Sequence, residues 1–390
     1  MRSLTAVLGV ALLASSLVAQ DATFKATGSM ARARRGHIAA RLANGNVLVG
    51  GGSLSSFTSA EVYDADSMNV LVAGGFPSVF TSAEVYDAVT GTWSATGSMN
   101  EPRANGLSAT QLHDGRVLIA GSVRIELSDH DRRSELYDPA TGTFTPGANM
   151  RQWRSFHSAT VLPDGKVLIA GGNSFGDALT LAEIFDPATG AFTLTGSSNV
   201  PRFAHVSALL PNGLVLVAGG AEGGVTAEVY NPATGTFAMT GSMSVSRIVA
   251  SCTLLANGKV FVTGGFDSES TKLASAEIYD PATGTFTTTG SMAVARASHT
   301  STLLRDGRVL IAGDPPSTGE PFSEIYDPAT GTFTRGPNMA VGRRELTATT
   351  LMNGDILFTG GIHDATTLPT AELYDVPSVR RRAVRNADLP

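Results

Sequence analysis

The chain has 390 residues, 42% of them hydrophobic and only 16% charged, with 43 glycines and a formal net charge of −6. That balance supports a sizeable core and many tight turns. It excludes a nucleic-acid partner, because a phosphate backbone is held by clustered Lys and Arg and the repeating part of this chain has no basic stripe.

At the N-terminus, Arg2 precedes an apolar run from Leu4 to Val18 that ends in small residues before Gln20 and Asp21. This is the layout of an export signal with cleavage expected after Ala19, and the run is shorter than the roughly 20 residues a membrane span needs. A secreted, periplasmic or cell-surface protein is expected, with residues 1–19 as signal peptide. Cys252 is the only cysteine, so no intrachain disulfide can form. Its place in the strand-like SCTLLANGKVFV predicts a buried, inert side chain.

Residues 20–376 are one repeating array. The Glu of an [A/S]E[VIL][YF] segment marks its phase at Glu61, Glu84, Glu135, Glu183, Glu228, Glu277, Glu324 and Glu372, with gaps of 23, 51, 48, 45, 49, 47 and 48. Apart from the first, these gaps match one four-stranded propeller sheet. The unit beginning near Ser298 shows how. Strand a is SHTSTLL, and Asp306-Gly307 supplies the positive φ of a tight hairpin. Strand b is RVLIAG, apolar throughout as expected where neighbouring sheets cover both faces. A Gly pair ends most b strands (Gly171-Gly172, Gly219-Gly220, Gly264-Gly265, Gly360-Gly361) and permits close backbone approach. Strand c is SEIYD, and PATG turns the chain into strand d, TFTR. No helical periodicity of useful length occurs, so the fold class is all-β.

Units reading GSMxxxRxxHxATLLxDGKVLIAGG and then AEIYDPATGTF resemble bacterial kelch-repeat proteins, from Asp21 to Asp375. The resemblance implies the kelch-type β-propeller shared with the central domain of galactose oxidase. It implies little about activity, since that fold hosts many roles. Strand d occurs seven times, at Phe24, Trp93, Phe144, Phe192, Phe237, Phe286 and Phe333. The first copy stands before any complete unit, and the last unit lacks its own. This predicts seven four-stranded blades closed by the N-terminal strand pairing with the Glu372 strand, which removes an open edge. One irregularity breaks the count: NVLVGGGSLSSFTSAEVYDA from Asn46 nearly recurs from Asn69, 23 residues later. Residues 66–88 are either a duplicated hairpin, which would make the first blade of a seven-bladed ring enlarged or irregular, or the remnant of an eighth blade, one incomplete. From Pro377, Arg380, Arg381, Arg382 and Arg385 stand without apolar periodicity, and residues 377–390 read as a basic disordered tail.

Alternating strand directions put the uniform a–b and c–d turns on one rim and the variable b–c and d–a loops on the other. Variable loops on a rigid scaffold are where binding resides, so the second rim is the candidate functional face. The d–a loop carries an Arg in every unit: Arg34, Arg103, Arg154, Arg202, Arg247, Arg296 and Arg343. A residue present in every blade serves the blade. Structural pairs are therefore expected between Arg154, Arg202, Arg247, Arg296 and the strand-c Glu183, Glu228, Glu277, Glu324; a ring of Arg holding an anion is the functional alternative. His37, His157, His205 and His299 follow three residues after that Arg, without HxH or HxxxH spacing, and read as hydrogen-bonded structural residues. No metal and no cofactor are expected.

Departures from the repeat mark candidate binding residues: Arg124, Asp129, His130 and Arg132 in the longest b–c loop, then Trp153, Phe203, Arg344 and His363. Aromatic rings flanked by Arg and Asp suit a sugar or a peptide. There is no GxSxG elbow and no zinc motif, and Cys252 lies in a regular strand. The expectation is a non-catalytic, monomeric module for a protein or glycan ligand. The alternative is an extracellular enzyme on the same scaffold, oxidase-like or glycan-active.

Overall fold

The computed structural model describes residues 22–35, 37–42, 47–51, 70–73, 81–101, 103, 106–122, 132–315 and 320–376. The proposed signal peptide, Glu61 and the tail from Pro377 lie outside them. Among the described residues the regular elements are strands, and no helix is long and apolar enough to cross a membrane.

A representative sheet holds Ser108–Gln111, Val117–Ala120, Arg133–Asp138 and Thr143–Asn149, paired antiparallel in chain order. These are strands a to d, and each sheet is named below by its strand-c Glu, here Glu135. The innermost strands are His37–Arg41, Ser108–Gln111, Ser158–Val161, Val206–Leu209, Ser251–Leu254, Thr300–Leu303 and Thr347–Thr350. Each packs on the next, and the last packs on the first, so the sheets close into a ring.

The core lies between sheets. Val117, Leu118, Ile119 and Ala120 of one b strand are all fully buried, because neighbouring sheets cover both faces. A seam of hydrogen bonds joins successive sheets: the strand-c Tyr hydroxyl meets a Thr after strand d of the preceding sheet, as in Thr96–Tyr137 (2.9 Å) and Thr195–Tyr230 (2.8 Å). The same Tyr rests on the strand-d aromatic of its own sheet, with ring centroids 4.8 Å apart for Tyr137 and Phe144.

Six sheets have four strands, whereas the Glu84 sheet has five, which corrects the expectation of seven four-stranded blades. Val47–Gly51 and Val70–Ala73 both align with Ala83–Asp87, and Val47 and Val70 each stand opposite Tyr86. The two copies carry the same VLV, so the pattern that sets register gives both the same partner. The duplicated strand is thus absorbed within one sheet, and beyond these seven the described residues form only two short two-stranded hairpins.

Thr23–Ala26 pairs antiparallel with Ala371–Asp375, completing the sheet whose other strands end the chain. Phe24 stands opposite Tyr374, its ring 5.3 Å from those of both Tyr374 and Phe358, and Lys25 pairs with Asp375. Phe24→Ala is expected to cost about 2 kcal/mol, less than a fully buried Phe because the ring is half-exposed. A urea midpoint unchanged from wild type would show that the closing strand contributes nothing.

Cys252 is half-buried rather than buried, and its Sγ lies 3.4 Å from the Ser207 carbonyl. It belongs to an innermost strand, where the sheets converge on small side chains and the neighbours cover it less fully than they cover strand b.

Candidate ligand-binding rim and channel mouth

Every d–a loop is anchored in the same way. Its Arg meets the strand-c Glu of the sheet the loop enters, in the pairs Arg34–Glu84, Arg103–Glu135, Arg154–Glu183, Arg202–Glu228, Arg247–Glu277, Arg296–Glu324 and Arg343–Glu372. All seven Arg are fully buried. A buried charge is tolerable only when its hydrogen bonds are met. Arg154 donates to the Gly171 carbonyl (2.7 Å), the Leu181 carbonyl (3.0 Å) and Glu183 (2.7 Å). Glu183 in turn accepts the Arg151 backbone N–H at 2.8 Å. One guanidinium therefore ties the d–a loop, both ends of the b–c loop and strand c together. Burial lowers the Arg154 pKa, and the Glu183 charge opposes that fall.

Two residues after the Arg, the backbone turns left-handed: Phe156 (φ 55°), Ala204 (52°), Val249 (60°), Ser298 (53°) and Glu345 (55°). Their amides join head to tail. Phe156 donates to the Gly106 carbonyl (2.8 Å), Ala204 to Phe156 (2.9 Å), Val249 to Ala204 (3.0 Å), Ser298 to Val249 (3.4 Å) and Glu345 to Ser298 (3.1 Å). This belt runs from sheet to sheet just before the innermost strands, on the rim of the variable loops. Left-handed geometry costs a non-Gly residue about 1–2 kcal/mol; the belt bond holds each one in place.

The four His follow the belt. His37 pairs with Thr359 (3.0 Å), His157 with Ser108 (2.8 Å) and His205 with Ser158 (2.9 Å), each through Nε2. His299 differs. Ser251, the counterpart of Ser108 and Ser158, is engaged instead by Ser301, whose hydroxyl lies at 2.7 Å and whose N–H donates at 3.0 Å. Neither ring nitrogen of the buried His299 has a hydrogen-bond partner among the described residues. Burial and the nearest Arg push His37 and His299 down to about 3. Among the described residues no three His, Cys, Asp or Glu side chains gather as a metal site.

The candidate rim residues fall into separate groups. Arg124, Asp129 and His130 lie outside the described residues. Arg132 is half-buried where strand c begins, and its carbonyl accepts the Met150 N–H at 2.8 Å. Trp153 rests on Phe175, ring centroids 4.1 Å apart, and Phe203 lies 6.5 Å from Phe156. Arg344 and His363 are exposed on the Glu372 sheet, where Arg344 bridges Ile362 through the backbone. Among the described residues, no hydrogen bond, ion pair or ring contact joins Trp153 and Phe203 to Arg344 and His363.

Sequence reasoning missed Phe175, Lys272, Asp314 and Glu345. Asp314 occupies the place of the second Gly of the pair, with φ 47°, and is 3% exposed. It accepts the Ala297 N–H (2.8 Å) and the Lys272 ammonium (2.7 Å). Glu345, 4% exposed, occupies a belt position. Its Oε2 has no hydrogen-bond partner among the described residues. Burial raises its pKa, while Arg35 and Arg344 act against the rise and Asp314 adds to it. The signals were an acid replacing a conformationally required Gly and an acid at a position filled elsewhere by small, apolar or amide residues.

The family model described as Kelch motif matches residues 250–293. No curated protein matches the chain. Among solved structures, a fungal alcohol oxidase of the AA5 family in complex with copper is similar, with a TM-score of 0.67 and 19% identity, over 80% of this chain and 73% of that one. At that identity the likeness speaks for the fold alone. The motif match, the shared fold and the closed ring of a-to-d sheets together give this chain the fold of a kelch-type β-propeller, with a Kelch motif at residues 250–293.

Proposed function

We propose that this propeller is exported and acts without catalysis, binding a glycan on the rim of its b–c and d–a loops. The observation that carries the reading is the aromatic shelf of Trp153 and Phe175. Phe175 is 58% exposed at the tip of a short hairpin, Asn173–Ser174 with Asp177–Ala178, and Trp153 is half-buried beneath it. Gln152 donates to the Ser174 hydroxyl at 3.1 Å, which ties the two loops and orders the shelf before any ligand arrives. Exposed Arg151 flanks it. Sugar C–H faces stack on such rings while a neighbouring guanidinium takes hydroxyls.

Glycan-array screening of the chain identifies the ligand, and Trp153→Ala then tests the shelf. An aromatic anchor lost from a binding surface is expected to weaken affinity at least about tenfold, ~1.4 kcal/mol, with the circular dichroism unchanged. Retained affinity in the variant, or no bound glycan at all, sinks the reading. A protein ligand would appear instead as a pull-down partner lost in the same variant. An enzyme is the second reading, favoured by the fold likeness to an oxidase, and turnover of an alcohol by the copper-supplied protein would establish it.

A further inference from the structure

We infer that a cleft on the opposite rim, between the a–b turn of the Glu277 sheet and the a–b and c–d turns of the Glu324 sheet, is a docking site for an arginine side chain presented by a peptide or protein partner. The inference is independent of the glycan reading, which concerns the other rim.

The cleft holds about 260 Å³, with Leu255 and Ala256 on one side and Gly307, Arg308, Asp327 and Pro328 on the other. Comparison between units shows why it is open. The residue before the Asn or Asp of each a–b turn packs against the turn Gly of the next sheet. A Cβ built on Gly165 would meet His113 Nδ1 at 3.0 Å, one on Gly213 would meet Pro163 at 3.7 Å, one on Gly258 would meet Pro211 at 3.1 Å, and one on Gly354 would meet the Arg305 guanidinium. On Gly307 it would meet nothing within 4 Å, because the filling position there is Ala256, which carries only a methyl group. The volume is below the roughly 300–1,000 Å³ of pockets that enclose a drug-sized ligand. Exposed Ala256 and Ala329 leave it open at the rim. One side chain, on a backbone that lies across the rim, suits such a cleft.

The chemistry of the walls selects a guanidinium. The next junction is already filled by one, that of Arg305, which donates to the Met352 carbonyl. At another junction Arg116 donates to the Pro187 carbonyl of the following sheet at 3.1 Å. Pro328 is the counterpart of Pro187. Its carbonyl receives no donor among the described residues, since Lys259, in the place of Arg116, turns to Asp280 at 2.9 Å. Charge points the same way. Asp306 is taken by Arg308, 2.9 Å from Nε and 2.7 Å from Nη2. Asp327 accepts the Ala329 N–H at 2.8 Å and has no ion-pair partner among the described residues. Its counterparts Asp280 and Asp375 pair with Lys259 and Lys25. The cleft thus offers one uncompensated carboxylate and one open carbonyl beside apolar walls. Arginine matches all three, with its fork of donors and its aliphatic stem.

The test uses the full chain with a capped Gly-Arg-Gly tripeptide as probe, read by amide chemical-shift mapping beside thermal melts. Shifts are expected at Ala256, Gly307 and Ala329, and the citrulline version, of similar shape but uncharged, is expected to bind at least about tenfold more weakly. Two variants borrow residues from other units. Ala256→Pro places in the cleft the ring found at Pro163 and Pro211, and is expected to abolish binding while Tm holds or rises. Asp327→Asn copies Asn231, which caps the Ala233 N–H at 2.9 Å as Asp327 caps that of Ala329; a loss of at least about tenfold is expected. Binding unchanged in either variant, equal binding of citrulline, or no binding by wild type overturns the inference. If Ala256→Pro lowers Tm, Asp327→Asn decides alone. Three other occupants would each overturn the partner. Capped arginine binding as tightly as the tripeptide points to a free guanidinium compound. Binding that appears only after residues 377–390 are deleted points to the chain's own Arg380, Arg381 or Arg382. A dimer that Asp327→Asn dissolves points to a second copy.

Discussion

Arg154→Ala is expected to destabilise the protein by about 3–5 kcal/mol, the range for breaking a buried ion pair from one side. The expectation follows from what is left behind. Glu183 is 0% exposed and would lose its charge partner, while the carbonyls of Gly171 and Leu181 would lose their donor. The double variant Arg154→Met with Glu183→Leu removes both charges and should recover much of the loss, since the remaining defect is two carbonyls and the Arg151 N–H rather than a stranded carboxylate. Urea melts of the three proteins decide the matter. If the single variant loses less than about 1 kcal/mol, the lock belongs with the weak ion pairs of protein surfaces.

Acid is expected to loosen the ring well above the carboxylate range. His37 and His299 are held neutral, down to about 3, first by burial and then by Arg34 and Arg296. Unfolded, each titrates near 6.5, so below that pH the unfolded chain binds protons that the folded chain refuses. The stability these residues contribute is complete above the unfolded value and is lost as pH falls toward the folded one. Between pH 6.5 and 5 each of these two accounts for about 1.5 kcal/mol, and His157 and His205, also lowered to about 3 by burial and a neighbouring Arg, add in the same direction. Glu345 works in the opposite sense: its raised carboxyl contributes stability at low pH that is lost as pH rises. Urea midpoints at pH 7, 6 and 5 measure the net slope. His299→Ala, which places there the residue the Glu277 sheet carries as Ala250, should remove about a quarter of the slope that the four His give together. A slope unchanged by that substitution would assign the acid sensitivity to other groups.

The propeller was legible because a repeat writes the same physics many times over. Asp306-Gly307 specifies a hairpin wherever it recurs, an apolar b strand specifies two covered faces, and an Arg and a Glu each present in every unit had to meet inside each blade. The unmatched N-terminal strand and the unmatched Glu372 strand likewise required each other. An enlarged first blade was legible from the duplication, but its five strands were not: two VLV copies are equally good partners for Ala83–Asp87, and local pattern does not rank equals. Cys252 was misjudged for a related reason, since an alternating strand does not show how completely its neighbours cover it.

The rim divides along the same line. Trp153 and Phe203 were visible as departures from the consensus, yet Phe175, 22 residues from Trp153, joins it only because two loops are tied at Gln152 and Ser174. Lys272 and Asp314 are 42 residues apart and meet only across neighbouring sheets. The chain alone determined the class of fold, the repeat unit, the anchoring pairs and the strand that closes the ring, because each is encoded within one unit or by its absence. Which side chains from different units face one another on the loop rim, and which buried groups find no partner among the described residues, was decided by closure. Ring geometry brings loops together that sequence separation keeps far apart, and the charge and burial of Glu345 and His299 exist only once those loops have met.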